Sequence, residues 1–222
     1  MKLAKTLIAA SLATLAAGHA NAGTTTFSEG FENFGDLIWN GWSTFNLTPN
    51  PSGPAWTPGS TAEASDEGPI DSFVQTGTSV SYGDPRSDVN ISTWLITPPI
   101  HLTGSDLLHF AIRGSGGSFS LNNFEVLVAP GSATSPDQFT QQIFGITKPP
   151  GFWLGFDSYL PEQSDTVRIA FHYFGPYSQS NYLALDTVSV TSAVPEPASA
   201  LLLAAGLGGV ALLRRRQQRR AD

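Results

Sequence analysis

Three carboxylates, near the two ends of the central part of the chain, are placed where they could bind a metal ion together. Asp186 alternates in phase with Val188 and Val190, which places its side chain on a strand face expected to be buried. A buried carboxylate is costly unless it is paired, hydrogen-bonded or bound to a metal ion. Glu29 and Glu32 lie where a first strand can run beside the last one. These three carboxylates are therefore candidate ligands of a metal ion, and the alternative is an Asp186 that accepts backbone or arginine hydrogen bonds without a metal.

The tryptophans are the candidate ligand-binding residues, because an indole ring can stack on the face of a saccharide ring. The chain has five of them, and core packing or loop anchoring is the expected role for most. Trp56 lies in a proline-rich segment and is predicted to be an exposed platform. Trp153, in a Gly-Phe-Trp-Leu sequence, is the second candidate.

The histidines of the central part are His101, His109 and His172, and none has the setting of a nucleophilic site. His109 shares a strand face with Arg113, and His172 shares one with Arg168, as expected of exposed strand positions. No Gly-x-Ser-x-Gly elbow accompanies them, so a Ser-His-Asp triad has no support in the sequence.

The other common catalytic groups are also missing or poorly placed. The chain has no cysteine, which excludes disulfides, thiolate catalysis and cysteine-ligated metal sites. Carboxylate pairs such as Asp66 with Glu67, or Glu29 with Glu32, have the groups that glycosidases use. Acids that are neighbours in a loop are more often solvated charges. The chain is therefore predicted not to be an enzyme.

The charge of the central part differs from that of the whole chain. Between Gly23 and Ala193 there are four of the 11 basic residues but 16 of the 18 acids, a formal net charge of −12. Nucleic-acid binding needs Lys and Arg to neutralise phosphates, so this charge excludes it. A strongly acidic surface suits cations, above all Ca²⁺ outside the cell.

These side chains must be positioned by an all-β domain. Turn-forming residues recur at short intervals, and no stretch has a convincing helical period. Strands are predicted at 24–31, 72–82, 92–96, 107–113, 124–129, 167–174 and 182–191. Short helices are predicted at 138–144 or 157–160, and poorly packed loops at 46–67 and 114–118. Many short strands separated by turns favour a sandwich or barrel.

The N-terminus has the pattern of a secretory signal peptide. Lys2 and Lys5 precede an apolar stretch that is too short to span a membrane, and Ala20-Asn21-Ala22 has the small-x-small form of a cleavage site. Cleavage is predicted to remove residues 1–22 and to leave Gly23 as the first residue, with a cut after Ala20 as the less favoured alternative.

The C-terminal tail has three successive parts: Pro195-Glu196-Pro197, an apolar run over 198–213, and the cluster Arg214-Arg215-Arg216. As a helix, the 16-residue run reaches roughly 24 Å, a little short of the ~30 Å hydrocarbon core. It is predicted to span the membrane, with the arginine side chains snorkelling to the interface. The positive-inside rule places the arginines in the cytoplasm and everything before the helix outside.

This order of a Pro-Glu-Pro tripeptide, a short hydrophobic segment and arginines resembles the PEP-CTERM sorting signal of Gram-negative bacteria, over residues 194–220. The resemblance implies Sec-dependent export and transient anchoring in the inner membrane. It also implies cleavage near the tripeptide by an exosortase and delivery to the cell surface or the extracellular space. The alternative is an ordinary membrane anchor, which has no need of Pro-Glu-Pro.

The central part, 23–193, resembles the choice-of-anchor J domain, which is akin to cleaved-adhesin and MAM-type jelly rolls. The motifs, in order, are Glu29-Gly30-Phe31-Glu32, Gly41-Trp42, Trp94-Leu95-Ile96-Thr97-Pro98-Pro99-Ile100, the strand at 107–113, Val167-Arg168-Ile169-Ala170-Phe171 and Leu185-Asp186-Thr187-Val188-Ser189-Val190. The resemblance implies a jelly-roll β-sandwich of a bacterial surface protein, often with Ca²⁺ between its terminal segments. The family often has two acids before its final Val-x-Val, where this chain has Asp186-Thr187.

The sequence as a whole therefore predicts an exported, non-enzymatic surface or matrix protein. Bacteria that carry PEP-CTERM signals usually make exopolysaccharide, which is the expected ligand or partner. The alternative is a hydrolase that acts on extracellular polysaccharide, for which two carboxylates about 5 to 10 Å apart in a cleft would be the signature.

Overall fold

The strands between Thr24 and Ser192 form two antiparallel sheets that enclose one hydrophobic core. The computed structural model describes residues 24–60, 64–78, 89–116, 123–162 and 165–192, all of which belong to one compact unit. The predicted signal peptide, the Pro-Glu-Pro motif, the predicted helix at 198–213 and the arginine cluster lie outside the described residues. No helix in the described ranges is long and apolar enough to cross a membrane.

The strands are β1 (Thr24–Glu29), β2 (Ser43–Asn46), β3 (Thr57–Pro58), β4 (Val74–Gly77), β5 (Asn90–Ile96), β6 (Ile100–His101), β7 (Asp106–Gly114), β8 (Asn123–Pro130), β9 (Gln141–Thr147), β10 (Leu154–Tyr159), β11 (Thr166–Pro176) and β12 (Tyr182–Ser192). Single turns of 3₁₀ helix lie at Phe34–Asp36, Pro136–Gln138 and Tyr177–Gln179.

Sheet I has the strand order β10-β7-β12-β4-β3, and β1 also pairs with β12. Sheet II has the order β2-β5-β11-β8-β9, and β6 also pairs with β11. The first and last strands are therefore neighbours, with Thr24 opposite Ser192 and Glu29 opposite Val188. The predicted all-β, jelly-roll-like sandwich is confirmed.

The core lies between the sheets and is filled by inward-facing residues at alternate positions of the strands. Val167, Ile169, Phe171 and Tyr173 of β11 are fully buried there, as their alternation predicts. The phenylalanines of the core pack in tilted, edge-on or stacked pairs, such as Phe110 with Phe171 at 5.9 Å between centroids. A smaller cluster around Trp94 covers part of the outer face of sheet II.

Two predictions about secondary structure are wrong. The segments predicted as helices at 138–144 and 157–160 lie mainly in strands β9 and β10. Phe144, Ile146 and Phe156 pack against the core from these strands, and this packing overrides the weak local preference. The segment at 46–67 is not poorly packed, since Ala55 is buried in the core and Thr57–Pro58 pairs with β4.

Candidate metal centre

The predicted carboxylates line a common cavity of about 320 Å³, here called the acidic cavity. It lies between the end of β1, the loop around Glu67 and the middle of β12. Four carboxylates line it, from Glu29, Glu32, Glu67 and Asp186, and no lysine or arginine is among its lining residues. The structure therefore brings together the three predicted residues and adds Glu67.

A β-bulge positions Asp186. The register between β12 and β7 shifts between Asp186 and Ser189, and Thr187 adopts a left-handed conformation with φ of 53°. The bulge breaks the alternation, so that Leu185 and Val188, three positions apart, both pack in the core, with Asp186 on the other side of the strand from Leu185. Asp186 is fully buried, as predicted, but the loop at 66–67 covers it.

The carboxylate of Asp186 accepts three backbone hydrogen bonds. Its Oδ2 accepts from the N–H of Asp66 at 2.8 Å and from that of Glu67 at 3.3 Å. Its Oδ1 accepts from the N–H of Thr187 at 2.7 Å. Burial raises the pKa of Asp186 to about 6, although the three N–H donors act in the opposite direction. The backbone hydrogen bonds foreseen as one alternative are thus present.

Glu29 is held at the other side of the acidic cavity by the turn that follows β1. Its Oε1 accepts a 2.9 Å hydrogen bond from the N–H of Phe31, whose φ of 58° turns the chain. Burial raises the pKa of Glu29, and the nearby charge of Glu32 raises it further. Two carboxylates of the cavity therefore resist ionisation while no cation is near them.

Two glycines leave room for the carboxylates of Glu32 and Glu67 beside the acidic cavity. A Cβ on Gly30 would lie 2.5 Å from Oε1 of Glu32, so a larger residue would displace that carboxylate. Gly68 follows Glu67 with a φ of 83°, a conformation that glycine adopts without strain.

The donor set of the acidic cavity suits a hard cation, because it consists of carboxylate oxygens. In the described part of the chain, however, no three acidic or histidine side chains already stand close enough together to hold an ion. Binding would therefore require Glu32 and Glu67, both exposed, to turn inward. Glu67 was predicted to be a solvated loop charge, because only the crossing of its loop over β12 brings it to Asp186.

The prediction that Trp56 is an exposed platform is wrong. Trp56 is 1% exposed and belongs to the core cluster. Two contacts hold its segment against the sandwich. Thr57 pairs with Gln75, and Thr76 Oγ1 donates a 2.7 Å hydrogen bond to the carbonyl of Ala55. Trp39 is instead 87% exposed, in the turn after the first 3₁₀ helix.

Trp153 is half-buried and contacts the loop that covers Asp186. Its Nε1–H donates to the carbonyl of Ala64 at 2.8 Å, and its ring lies edge-on to Phe73 at 5.5 Å between centroids. Both contacts fix the segment that leads to Asp66 and Glu67.

The histidines differ from one another. His109 is partly exposed and pairs with Asp157, Nδ1 to Oδ1, at 2.7 Å. His172 was predicted at an exposed strand position but is half-buried, because its ring stacks on Trp94 at 3.8 Å and on Phe174 at 4.7 Å. Burial lowers the pKa of His172, although its partner Glu125 acts in the opposite direction.

Comparison with known proteins identifies the tail and the fold. The family model of the PEP-CTERM protein-sorting motif matches residues 193–220. The chain thus carries a sorting motif that implies export and C-terminal membrane anchoring before processing, as predicted. No curated protein matches the chain.

Several solved structures share the fold of the sandwich. The K1 cleaved adhesin domain of Lys-gingipain from Porphyromonas gingivalis W83 is 23% identical with a TM-score of 0.56, over 77% of this chain and 99% of that one. The K3 domain from the same strain is 21% identical with a TM-score of 0.55, over 77% and 99%. The K2 domain of Lys-gingipain is 19% identical with a TM-score of 0.53, over 74% and 98%. The predicted likeness to cleaved-adhesin sandwiches is confirmed.

Proposed function

We propose that this chain is an exported, non-enzymatic surface or matrix protein, sorted by an exosortase, whose sandwich is an adhesive module. The observation that carries the proposal is the PEP-CTERM motif at 193–220, which joins a sorting address to a domain with a cleaved-adhesin fold. In this scheme the Sec machinery exports the chain, and removal of residues 1–22 leaves a mature chain that starts at Gly23. The segment 198–213 holds the chain in the inner membrane until the exosortase cuts near Pro195-Glu196-Pro197.

Replacement of Pro195, Glu196 and Pro197 by alanine tests this scheme. We expect the variant to stay uncut in the inner membrane, while the wild-type chain appears outside the cell without residues 198–222. Mass spectrometry of the two forms reads out the C-terminus directly. Release of the variant with the same C-terminus as the wild type would refute exosortase sorting.

We further propose that the acidic cavity binds Ca²⁺ after export. Support comes from the buried carboxylate of Asp186, from the presence of Glu29 in the lining of the same cavity, and from the absence of lysine and arginine among the lining residues. A divalent cation there would favour the ionised forms of both carboxylates and would hold the loop of Glu67 against β1 and β12. Extracellular Ca²⁺ would thus join the first and last strands to the loop that crosses them.

The adhesive role is proposed towards exopolysaccharide. The net charge of −12 between Gly23 and Ala193 disfavours acidic polymers and leaves neutral polysaccharides as the expected ligands. Binding of the mature protein to immobilised neutral and acidic polysaccharides, with and without Ca²⁺, tests this role. Failure to bind any of them would contradict it.

A further inference from the structure

A continuous chain of hydrogen bonds crosses three strands on the outer face of sheet II. The indole Nε1–H of Trp94 donates to Ser92 Oγ at 3.2 Å, and Ser92 Oγ lies 3.0 Å from Nε2 of His172. His172 Nδ1 lies 2.7 Å from Oε1 of Glu125. These four residues, here called the relay, come from β5, β11 and β8.

The chemistry of each group fixes where the protons are. An indole only donates and a carboxylate only accepts, so Trp94 donates to Ser92 and Glu125 accepts from His172. When the imidazole is neutral with its proton on Nδ1, the hydroxyl of Ser92 donates to His172 Nε2. The lowered pKa of His172 agrees with a neutral ring at neutral pH. The relay therefore holds Oε1 of Glu125 against His172.

Glu125 also lines a cavity of about 190 Å³, here called the sheet II pocket, together with Asn123, Gln142, Thr147 and Phe174 among others. Glu125 keeps about a fifth of its side chain exposed. The pocket thus offers an oriented, water-accessible acceptor.

The remaining groups of the sheet II pocket are also fixed in place. Thr147 Oγ1 donates to Asn123 Oδ1 at 2.8 Å, and Gln142 Nε2 donates to the carbonyl of Phe144 at 3.2 Å. Phe174 is half-buried and stacks on His172. A Cβ on Gly145 would lie 2.3 Å from the amide of Gln142, so glycine keeps the pocket open at that point.

We propose that the sheet II pocket binds one residue of a neutral hexose or pentose polymer. Hydroxyl groups of the sugar donate to the carboxylate of Glu125 and exchange hydrogen bonds with the side chain of Gln142, while a face of the sugar ring lies on Phe174. The inference rests on the proposed adhesive function, for which it names the contact surface. It places that surface on sheet II rather than at Trp56 or Trp153.

The charge of the site decides between neutral and acidic sugars. None of the residues that line the sheet II pocket is basic, and the carboxylate of Glu125 would repel uronic acid or sulfated residues. A ring with free equatorial hydroxyls and no charge avoids that repulsion and uses both the acceptor and the aromatic face.

Two variants of the mature protein test the pocket on short oligosaccharides of glucose, galactose, mannose and xylose. Glu125→Gln keeps the size of the side chain but removes its charge and disturbs the proton order of the relay. Phe174→Leu keeps an apolar side chain but removes the aromatic face. We expect Glu125→Gln to weaken binding roughly tenfold to a hundredfold, as loss of a hydrogen bond to a charged group does, and Phe174→Leu to weaken it roughly tenfold, as loss of an aromatic contact does.

Asp157→Asn is the matched control, because Asp157 makes the same 2.7 Å contact with a histidine on sheet I. It should leave sugar binding unchanged. Melting curves in the presence of sugar show whether each variant is folded and whether the sugar stabilises it.

The outcomes separate this inference from the proposed function. Equal sugar binding by the wild type and Glu125→Gln would overturn the pocket assignment and leave the adhesive function standing. Absence of binding by the wild type would overturn both. Tighter binding of uronic acid oligomers than of neutral ones would overturn the assignment of the ligand class.

Discussion

The carboxylate of Asp186 accepts a 2.8 Å hydrogen bond from the backbone N–H of Asp66, a residue 120 positions earlier in the chain. This bond ties the loop of Asp66 and Glu67 to the last strand, beside the end of the first. It explains why carboxylates from three distant parts of the sequence line one cavity.

Removal of Ca²⁺ should lower the melting temperature of the mature protein. A cation that binds only the folded state stabilises it by about 2.7 kcal/mol at a hundredfold excess over Kd. Calorimetry with Ca²⁺ and with chelator measures the shift, which Glu29→Gln should abolish. Glu162→Gln, an exposed acid that does not line the acidic cavity, should keep it. An identical melt with and without chelator would rule out the site.

The stability of the Ca²⁺-free protein should depend on the ionisation of Asp186. Its pKa is raised from 3.8 to about 6 on folding, so the folded state binds the proton more tightly than the unfolded chain does. The contribution of Asp186 to stability should therefore rise as pH falls from above 6 towards 4, by a few kcal/mol at most.

Urea unfolding at several pH values gives the free energy of unfolding as a function of pH. The effect is the difference between the wild type and Asp186→Asn in the slope of that free energy against pH. With Ca²⁺ bound, the sign should reverse, because the cation binds the ionised carboxylate. Identical slopes for the two proteins without Ca²⁺ would contradict the role of Asp186.

Truncation of Trp56 should destabilise the sandwich rather than remove a ligand platform. Trp56→Ala deletes a side chain that is 1% exposed, and such core truncations cost about 3–5 kcal/mol. Trp39→Ala, at a position 87% exposed, should change stability by less than about 0.5 kcal/mol. Urea unfolding of both variants decides the matter, and equal stability of the two would contradict the burial of Trp56.

Trp153 should act on the acidic cavity through the loop that it anchors. Trp153→Phe keeps the ring against Phe73 but removes the hydrogen bond to the carbonyl of Ala64, at a cost of about 1 kcal/mol. We expect weaker Ca²⁺ binding by calorimetric titration. Tyr159→Phe, at a position 79% exposed, is the control. Unchanged Ca²⁺ affinity in Trp153→Phe would show that the loop is held by other contacts.

The mature protein should release no reducing ends from neutral or acidic polysaccharides. Release that is lost on Glu29→Gln or Glu125→Gln would instead establish the alternative of a polysaccharide hydrolase. A glycosidase known to act on each substrate serves as the positive control.

Alternation along the strands was enough to predict the sandwich and most of its inward-facing residues. β11 shows this most clearly, since Val167, Ile169, Phe171 and Tyr173 all point into the core. The helices predicted at 138–144 and 157–160 failed because short apolar segments have no decisive period, and packing against Phe110 determined their form.

The candidate metal centre was predictable only in part. Glu29 and Asp186 were found because the resemblance and the alternation placed the first and last strands side by side. Glu67 was missed because a loop crossing is a tertiary feature with no local pattern. Alternation with Val188 and Val190 correctly predicted that Asp186 is buried. The reason was wrong, because the bulge at Thr187 interrupts that alternation.

The relay was not predictable from the sequence. Ser92, Glu125 and His172 lie on strands whose order in sheet II is not the order of the chain. Their meeting depends on the register that sets His172 opposite both Trp94 and Glu125.

The position of β12 has a consequence for the timing of folding. Sheet I cannot be assembled without this strand, because it pairs with β7, β4 and β1, and Thr24 finds its partner only in Ser192. A chain that crosses a membrane from its N-terminus delivers β12 last among the strands. In the proposed export from the N-terminus, sheet I would therefore stay incomplete until β12 has emerged, and its long-range pairings would form late.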